Sequence, residues 1–410
     1  MRVSRIEVVS AGDACQLQGW VESDATEDDV DWFEPFSLWY RFPPWCRPYL
    51  SAGNGDPFLA ALLLPAMRTR EKLTIPAPVS PRLLEALPEI QTIYTQFDPR
   101  TVRVPIEAEP RHNALPIVGG EPWVALFFSM GIDSFYSLLK NQREHPADSA
   151  TITHLISVHG FDAAHHGWDE AFPPALLRNF ARVTNDLGKP LVPVVTNVRQ
   201  VGARLAPWFM LHGAALASIA LALGSVIRRV TIASSATYDT IYPWGTHPLL
   251  DPLWATETIS VVHDGCEKSA IAKLHDIIVS ELVLQTLRVC PGYGPEYNCG
   301  RCNKCMRTMV DLLLAGCLER AQTFPHEIEP ERLRVALQAP TSPVQLPNFR
   351  KRLAAFDAAG LRPDLRQVLA EHISRLEGRA EPQPRRPRLA RISKSLGLSK
   401  TVLPGSGRYR

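Results

Sequence analysis

An apolar run, a short serine- and glycine-bearing turn and the start of a helix follow one another between residues 124 and 140, and this unit constrains the fold more than any other stretch of the chain. Val124-Ala125-Leu126-Phe127-Phe128 reads as a strand, Ser129-Met130-Gly131-Ile132-Asp133-Ser134 as the turn, and Phe135-Tyr136-Ser137-Leu138-Leu139-Lys140 as the helix opening. Further strand candidates lie at 154–158, 191–195 and 229–233, separated by helical stretches around 174–186 and 210–223. Alternation of this kind predicts an α/β fold with a parallel, doubly wound sheet. Ligands in such sheets bind beyond the carboxyl ends of the strands, so the expected site loops are 129–134, 159–166, 196–200 and 234–251.

The turn has the chemistry of a phosphate site. A helix N-terminus directs free N–H groups and the positive end of its dipole outward, and the hydroxyls of Ser129 and Ser134 add donors. Gly131 is expected to supply the permissive backbone. Asp133 repels phosphate, so its expected role is to hold the loop or to reach a bridging Mg²⁺. An ordinary serine-rich βα turn is the competing reading.

The turn resembles the PP-loop, Ser-Gly-Gly-x-Asp-Ser, of the ATP pyrophosphatase superfamily, with Met130 where that pattern has its first glycine. No Gly-Lys-Ser/Thr follows, so it is not a Walker loop. The resemblance implies cleavage of ATP between the α and β phosphates, with Ser129, Met130, Gly131, Ile132, Asp133 and Ser134 around the nucleotide and Asp133 and Ser134 as catalytic residues.

Cys290, Cys299, Cys302 and Cys305 form a Cys-x8-Cys-x2-Cys-x2-Cys array, while Cys15, Cys46, Cys266 and Cys317 are scattered. Thiolates at such spacings converge on one ion, and four sulfurs with no open position describe structural Zn²⁺, with an iron–sulfur cluster as second choice and a disulfide or unrelated thiols as the alternatives. Together with Gly300 and Arg307, the array and the turn resemble the 7-cyano-7-deazaguanine synthase family over roughly residues 121–320. That resemblance implies adenylation of a carboxylate-type small molecule and attack by ammonia or another amine. The segment from Ser234 to Pro248 shares the family's Tyr-Pro turn but not its surroundings, and the N-terminal region has no counterpart, so a paralogue with another substrate is expected.

At 410 residues, 45% hydrophobic and a net charge of +2, the chain fits two or three domains and is no obvious nucleic-acid binder as a whole. The expected divisions are an N-terminal α/β or α+β domain at 1–118, an ATP-binding domain at 119–324, a helical segment at 325–380 and a basic tail at 381–410. The first twenty or so residues carry charges and no apolar signal core, and the apolar stretch at 208–224 is shorter than the roughly 20 residues of a membrane span, so a cytoplasmic location is expected. In the N-terminal region Asp56-Pro57 and Ser80-Pro81 are expected to cap helices, 72–75 and 101–106 to be strands, and the aromatics Trp32, Phe33, Phe36, Trp39, Tyr40, Phe42 and Trp45 to pack a core. Helical patterns follow at 330–337 and 347–376. The tail has no acid after Glu381 and is expected to be disordered; it can serve solubility or contact RNA, an acidic partner or an anionic membrane. A homodimer is an open alternative.

Tyr238, Asp239, Tyr242, His247 and Asp251 lie in a Trp- and Pro-bounded segment suited to substrate binding. His159, Asp162, His165 and His166 read equally as an acid–base or metal cluster and as a solvated loop. His263-Asp264-Gly265-Cys266 places a thiol near a histidine, although an inert buried cysteine is favoured. Arg301, Lys304 and Arg307 could steady an anion or do nothing. The leading expectation is an adenylating ligase using ATP, Mg²⁺ and structural Zn²⁺; a sulfur transferase and a degenerate nucleotide-binding module are the alternatives.

Overall fold

The computed structural model describes residues 1–25, 33–161, 172–290, 292, 297–339 and 345–380. Among them ten strands form one sheet: β1 (Arg2–Ala11), β2 (Ala14–Glu22), β3 (Phe36–Phe42), β4 (Leu73–Val79), β5 (Ile106–Pro110), β6 (Trp123–Phe127), β7 (His154–His159), β8 (Leu191–Thr196), β9 (Ile227–Ala233) and β10 (Ser260–Asp264). Their order in space is β10-β9-β6-β7-β8-β3-β2-β1-β4-β5. From β8 through β7, β6 and β9 to β10 every pairing is parallel. β3 runs antiparallel to β8 and to β2, and β2 antiparallel to β1, whereas β4 is parallel to β1 and β5.

Among the described residues twelve α-helices accompany the sheet: α1 (Asp56–Thr69), α2 (Pro81–Phe97), α3 (Ile132–Glu144), α4 (Pro174–Leu187), α5 (Val198–Leu205), α6 (Trp208–Ala222), α7 (Ala270–Ile277), α8 (Glu281–Thr286), α9 (Asn303–Leu314), α10 (Pro330–Ala336), α11 (Leu346–Ala359) and α12 (Pro363–Ala380). Side chains on a strand alternate between faces, and β6 divides accordingly. Trp123, Ala125 and Phe127 join a core with α1 and α6, whereas Val124 and Leu126 join a second core with α3, α4 and the C-terminal helices. Helices therefore cover both faces of this part of the sheet.

The four strands read from the apolar pattern are present as β6 to β9. The hairpin of β1 and β2 turns at Gly12, whose φ of 58° is one that glycine adopts without strain. The strand expected at 101–106 is irregular up to Pro105, and β5 begins at Ile106. Its backbone is already engaged elsewhere: Val104 N–H donates to the Gln91 side chain of α2 at 2.8 Å. Ser80 caps α2 as expected, its Oγ accepting from Leu83 N–H at 3.1 Å. Asp56 does not cap α1. Its buried carboxylate accepts from Ser80 N–H at 2.7 Å and pairs with Arg111 at 2.8 Å, tying α1 to the start of α2. The helical stretch at 347–376 is two helices, broken after α11 at Gly360 with φ 63°.

The sheet does not break at residue 118, because β3 pairs with β8 and Tyr40 Oη donates to Ser218 Oγ in α6 at 2.9 Å. Phe33, Trp39, Tyr40 and Phe42 are buried as core aromatics and Trp45 is exposed; Trp32 lies outside the described residues. No described helix is long and apolar enough to cross a membrane, and α6 is a buried core helix. The basic tail also lies outside the described residues.

Candidate active site and metal centre

The turn after β6 meets α3 where the strand sequence reverses: the chain moves from β6 outward through β7 to β8, then returns past β6 to β9 and β10. A crevice opens at such a point because the loops after β6 and β9 leave the sheet on opposite sides. Ser134 anchors the turn. Its buried Oγ donates to Gly131 C=O at 3.1 Å and lies 3.4 Å from Ser129 N, and Ser129 Oγ accepts from Gly131 N–H at 3.3 Å. The remaining N–H groups of the first turn of α3 have no intrahelical acceptor, the general condition of a helix N-terminus.

Gly131 has φ −79° as the N-cap of α3, so it does not supply the unusual backbone angle expected of it. Met130 does, with φ 59°. A non-glycine residue there costs about 1–2 kcal/mol, and the surroundings offset it. Met130 is fully buried, Tyr297 Oη lies 3.4 Å from its sulfur, and its carbonyl accepts from Arg288 N–H at 2.9 Å. Its side chain turns into the second core.

Asp133 is paired with Lys273 of α7 at 2.8 Å. Lys273 Nζ also donates to Ser234 C=O, at the end of β9, and only 1% of its side chain is exposed against 30% for Asp133. A buried ammonium thus joins the turn after β6 to the loop after β9. Sequence reasoning missed Lys273, though a signal was present: it shares the buried stripe of α7 with Leu274 and Ile277, and a charge on such a stripe needs a partner. Farther along α3, Ser137 donates to Asp264 at 2.6 Å and Lys140 pairs with Asp264 at 2.9 Å and Glu267 at 2.8 Å. Burial works against the Glu267 carboxylate, but Lys140 and Tyr136 outweigh it and hold the group down at about 2.

Next to Ser234 lies a shallow, open cleft with Ser234, Tyr242, Trp244, Thr246, His247 and His263 on its walls. Its loop is seated on α6 by a close backbone approach. A Cβ on Gly213 would fall 1.9 Å from Gly245 C=O, and Gly245 N–H donates to Phe209 C=O at 2.9 Å. Of the expected substrate residues, Tyr242 and His247 line the cleft. Asp251 lies fully buried behind it, paired with His263 Nδ1 at 2.7 Å. Tyr238 and Asp239 are exposed and do not line it.

Cys266 is buried, and its thiol donates to Ser234 Oγ at 3.2 Å. His263 is committed to Asp251 and does not activate it. If the chain turns over ATP, Cys266→Ala is expected to retain most of that turnover; near-complete loss, or a persulfide trapped on Cys266, would assign the thiol a chemical role.

The four sulfurs of Cys290, Cys299, Cys302 and Cys305 all lie within 4.8 Å of one another. Tetrahedral zinc with Zn–S bonds of about 2.3 Å needs sulfurs about 3.8 Å apart, which this cluster fits. The knuckle depends on Gly300, at φ 62°, where a Cβ would fall 2.5 Å from Pro325. Cys302 N–H donates to Cys299 Sγ at 3.3 Å and Cys305 N–H to Cys302 Sγ at 3.4 Å. The Cys305 thiol pulls Cys302 down to about 5, and the same contact pushes Cys305 up. Thiols this close cannot all ionise unaided, and a dication is the partner that permits it. Of the neighbouring cations, Arg301 and Lys304 are exposed, whereas Arg307 is half-buried and its guanidinium pushed down by burial and by Arg352. His159 is buried at the end of β7; Asp162, His165 and His166 lie outside the described residues.

Comparison with family models, with curated proteins and with solved structures found no match.

Proposed function

We propose that this chain is an ATP-dependent adenylating ligase of the PP-loop type, with residues 119–324 as its doubly wound catalytic unit. The observation that carries this reading is the turn of residues 129–134 at the reversal of strand order, joined through Asp133 and Lys273 to Ser234 on the wall of the cleft. Phosphates of ATP lie against the N-terminus of α3, where N–H groups and the Ser129 hydroxyl meet them. Asp133 is the carboxylate of the turn that would hold a Mg²⁺ ion, whose charge would offset that of the phosphates. The carboxylate-type substrate occupies the cleft, and its oxygen attacks the α-phosphorus, forming an acyl adenylate and releasing pyrophosphate. An amine or ammonia then displaces AMP. In this scheme the protein supplies position and charge and forms no covalent bond to the substrate. Zn²⁺ in the four-cysteine knuckle is structural, and residues 1–118 widen the sheet.

Sulfur transfer is the weaker reading, because Cys266, whose thiol meets a residue of the cleft wall, is buried and engaged with Ser234. The proposal requires ATP to bind the folded protein. Mg-ATP at a hundred times its dissociation constant is expected to add about 2.7 kcal/mol of stability, seen as a rise in the thermal midpoint. No rise at saturating Mg-ATP, with none for AMP either, would count against the nucleotide site.

A further inference from the structure

The cleft holds an acid–base pair that adenylation itself leaves unused. His263 stands on β10 with its side chain 4% exposed, and its Nδ1 lies 2.7 Å from the Oδ2 of a fully buried Asp251. The other oxygen of that carboxylate accepts from the backbone N–H of His247 at 3.3 Å, so Asp251 is held at both ends. Committing Nδ1–H to Asp251 leaves Nε2 with the lone pair, and His263 lines the cleft. His247, on the same wall, has the opposite polarity. Its Nδ1 accepts from Leu249 N–H at 3.1 Å, which puts its proton on Nε2. Burial pushes the Asp251 carboxyl up, and the hydrogen bond from His263 draws it part of the way back.

The second half-reaction needs such a group. An amine attacking the acyl adenylate forms a C–N bond, breaks the bond from the acyl carbon to the phosphate oxygen, and must give up one proton as AMP leaves. We propose that His263 is the catalytic base that takes this proton on Nε2, with Asp251 as the positioning residue that orients the ring and steadies the imidazolium. The assignment rests on the adenylation reading. Ser234 links the two halves of the site, its carbonyl holding Lys273 while the residue stands on the wall of the cleft.

The test compares two nucleophiles. Wild-type protein, His263→Gln and Asp251→Asn are each given Mg-ATP, the low-molecular-weight fraction of a cell extract as acyl source, and either ammonium chloride or hydroxylamine. Ammonia reacts as the small uncharged fraction that has already given one proton to solvent, and as a weak nucleophile it relies on a base for the second. Hydroxylamine is uncharged and strongly nucleophilic, and its adduct loses its one proton readily to water. With ammonium, AMP release by His263→Gln is expected to fall roughly 100- to 10,000-fold, and with hydroxylamine less than about tenfold. Asp251→Asn preserves the buried shape and is expected to show the same split in weaker form, which provides the test where His263→Gln does not fold. Equal losses with both nucleophiles, or undiminished transfer to ammonium, would overturn the role of His263 while leaving adenylation standing. Failure of the wild-type protein to form AMP with either probe would overturn adenylation itself.

Discussion

Cys302→Ser protein is expected to lose its metal, its cooperative folding and its response to ATP together. A structural zinc site of four thiolates contributes on the order of 10 kcal/mol to the folded state, comparable to the whole stability of a domain. The loss reaches the turn of residues 129–134 through a short path. Asn298, one residue before Cys299, donates to Leu287 C=O at 2.9 Å and accepts from Val289 N–H at 2.9 Å, and Arg288 N–H between them holds the Met130 carbonyl at 2.9 Å. Tyr297 packs on the Met130 sulfur. The knuckle thus supports the residue that carries the strained backbone angle of the turn. Chelation of wild-type protein is expected to reduce the ATP-induced thermal shift in proportion to the metal removed. A Cys302→Ser protein with an unchanged thermal midpoint and a full ATP response would separate the knuckle from both fold and site.

The second large effect belongs to the turn and its lysine. Removing the Ser134 hydroxyl, which holds the turn through Gly131 C=O, or the Lys273 ammonium, which ties the turn to Ser234, is expected to slow AMP formation roughly ten- to a thousandfold, because the groups of the turn lose their position. The two sides of the ion pair differ in stability. In Lys273→Met the partly exposed Asp133 can regain water, and the protein stays folded. In Asp133→Asn the buried ammonium keeps Ser234 C=O, the face of Tyr136 at 5.6 Å and an amide, and the expected cost is about 3 kcal/mol. Met130→Gly restores the motif glycine, yet the methionine points into the core. Its rate is expected to stay near wild type while stability falls by about 1–3 kcal/mol, since the lost burial exceeds the relief of φ. Denaturant midpoints and steady-state AMP formation on the same preparations separate these outcomes.

The elements legible in the sequence are those whose signals are local. A strand followed by a serine turn and a helix needs only adjacent residues, and so does a cysteine pair two residues apart, which is why β6, α3 and the knuckle were readable. β10 was missed because Ser260 and Asp264 at its ends are polar and its run is short. Lys273 and the pairing of Asp251 with His263 depend on contacts across 140 and 12 residues of chain, and no local pattern encodes which buried charge meets which. Met130 shows the opposite case. The motif marked the position as unusual, but only the backbone places the demand for positive φ there and not at Gly131.

The central claim is that the turn of residues 129–134 directs ATP cleavage between the α and β phosphates. The most direct measurement is the identity of the products released from ATP labelled at its α-phosphate by wild-type protein and by Ser134→Ala, in the presence of the low-molecular-weight extract and ammonium. Label appearing in AMP, with an equal amount of pyrophosphate and a strong decrease in Ser134→Ala, is the predicted result. Label appearing in ADP with orthophosphate, or AMP formed equally by both proteins, would contradict it.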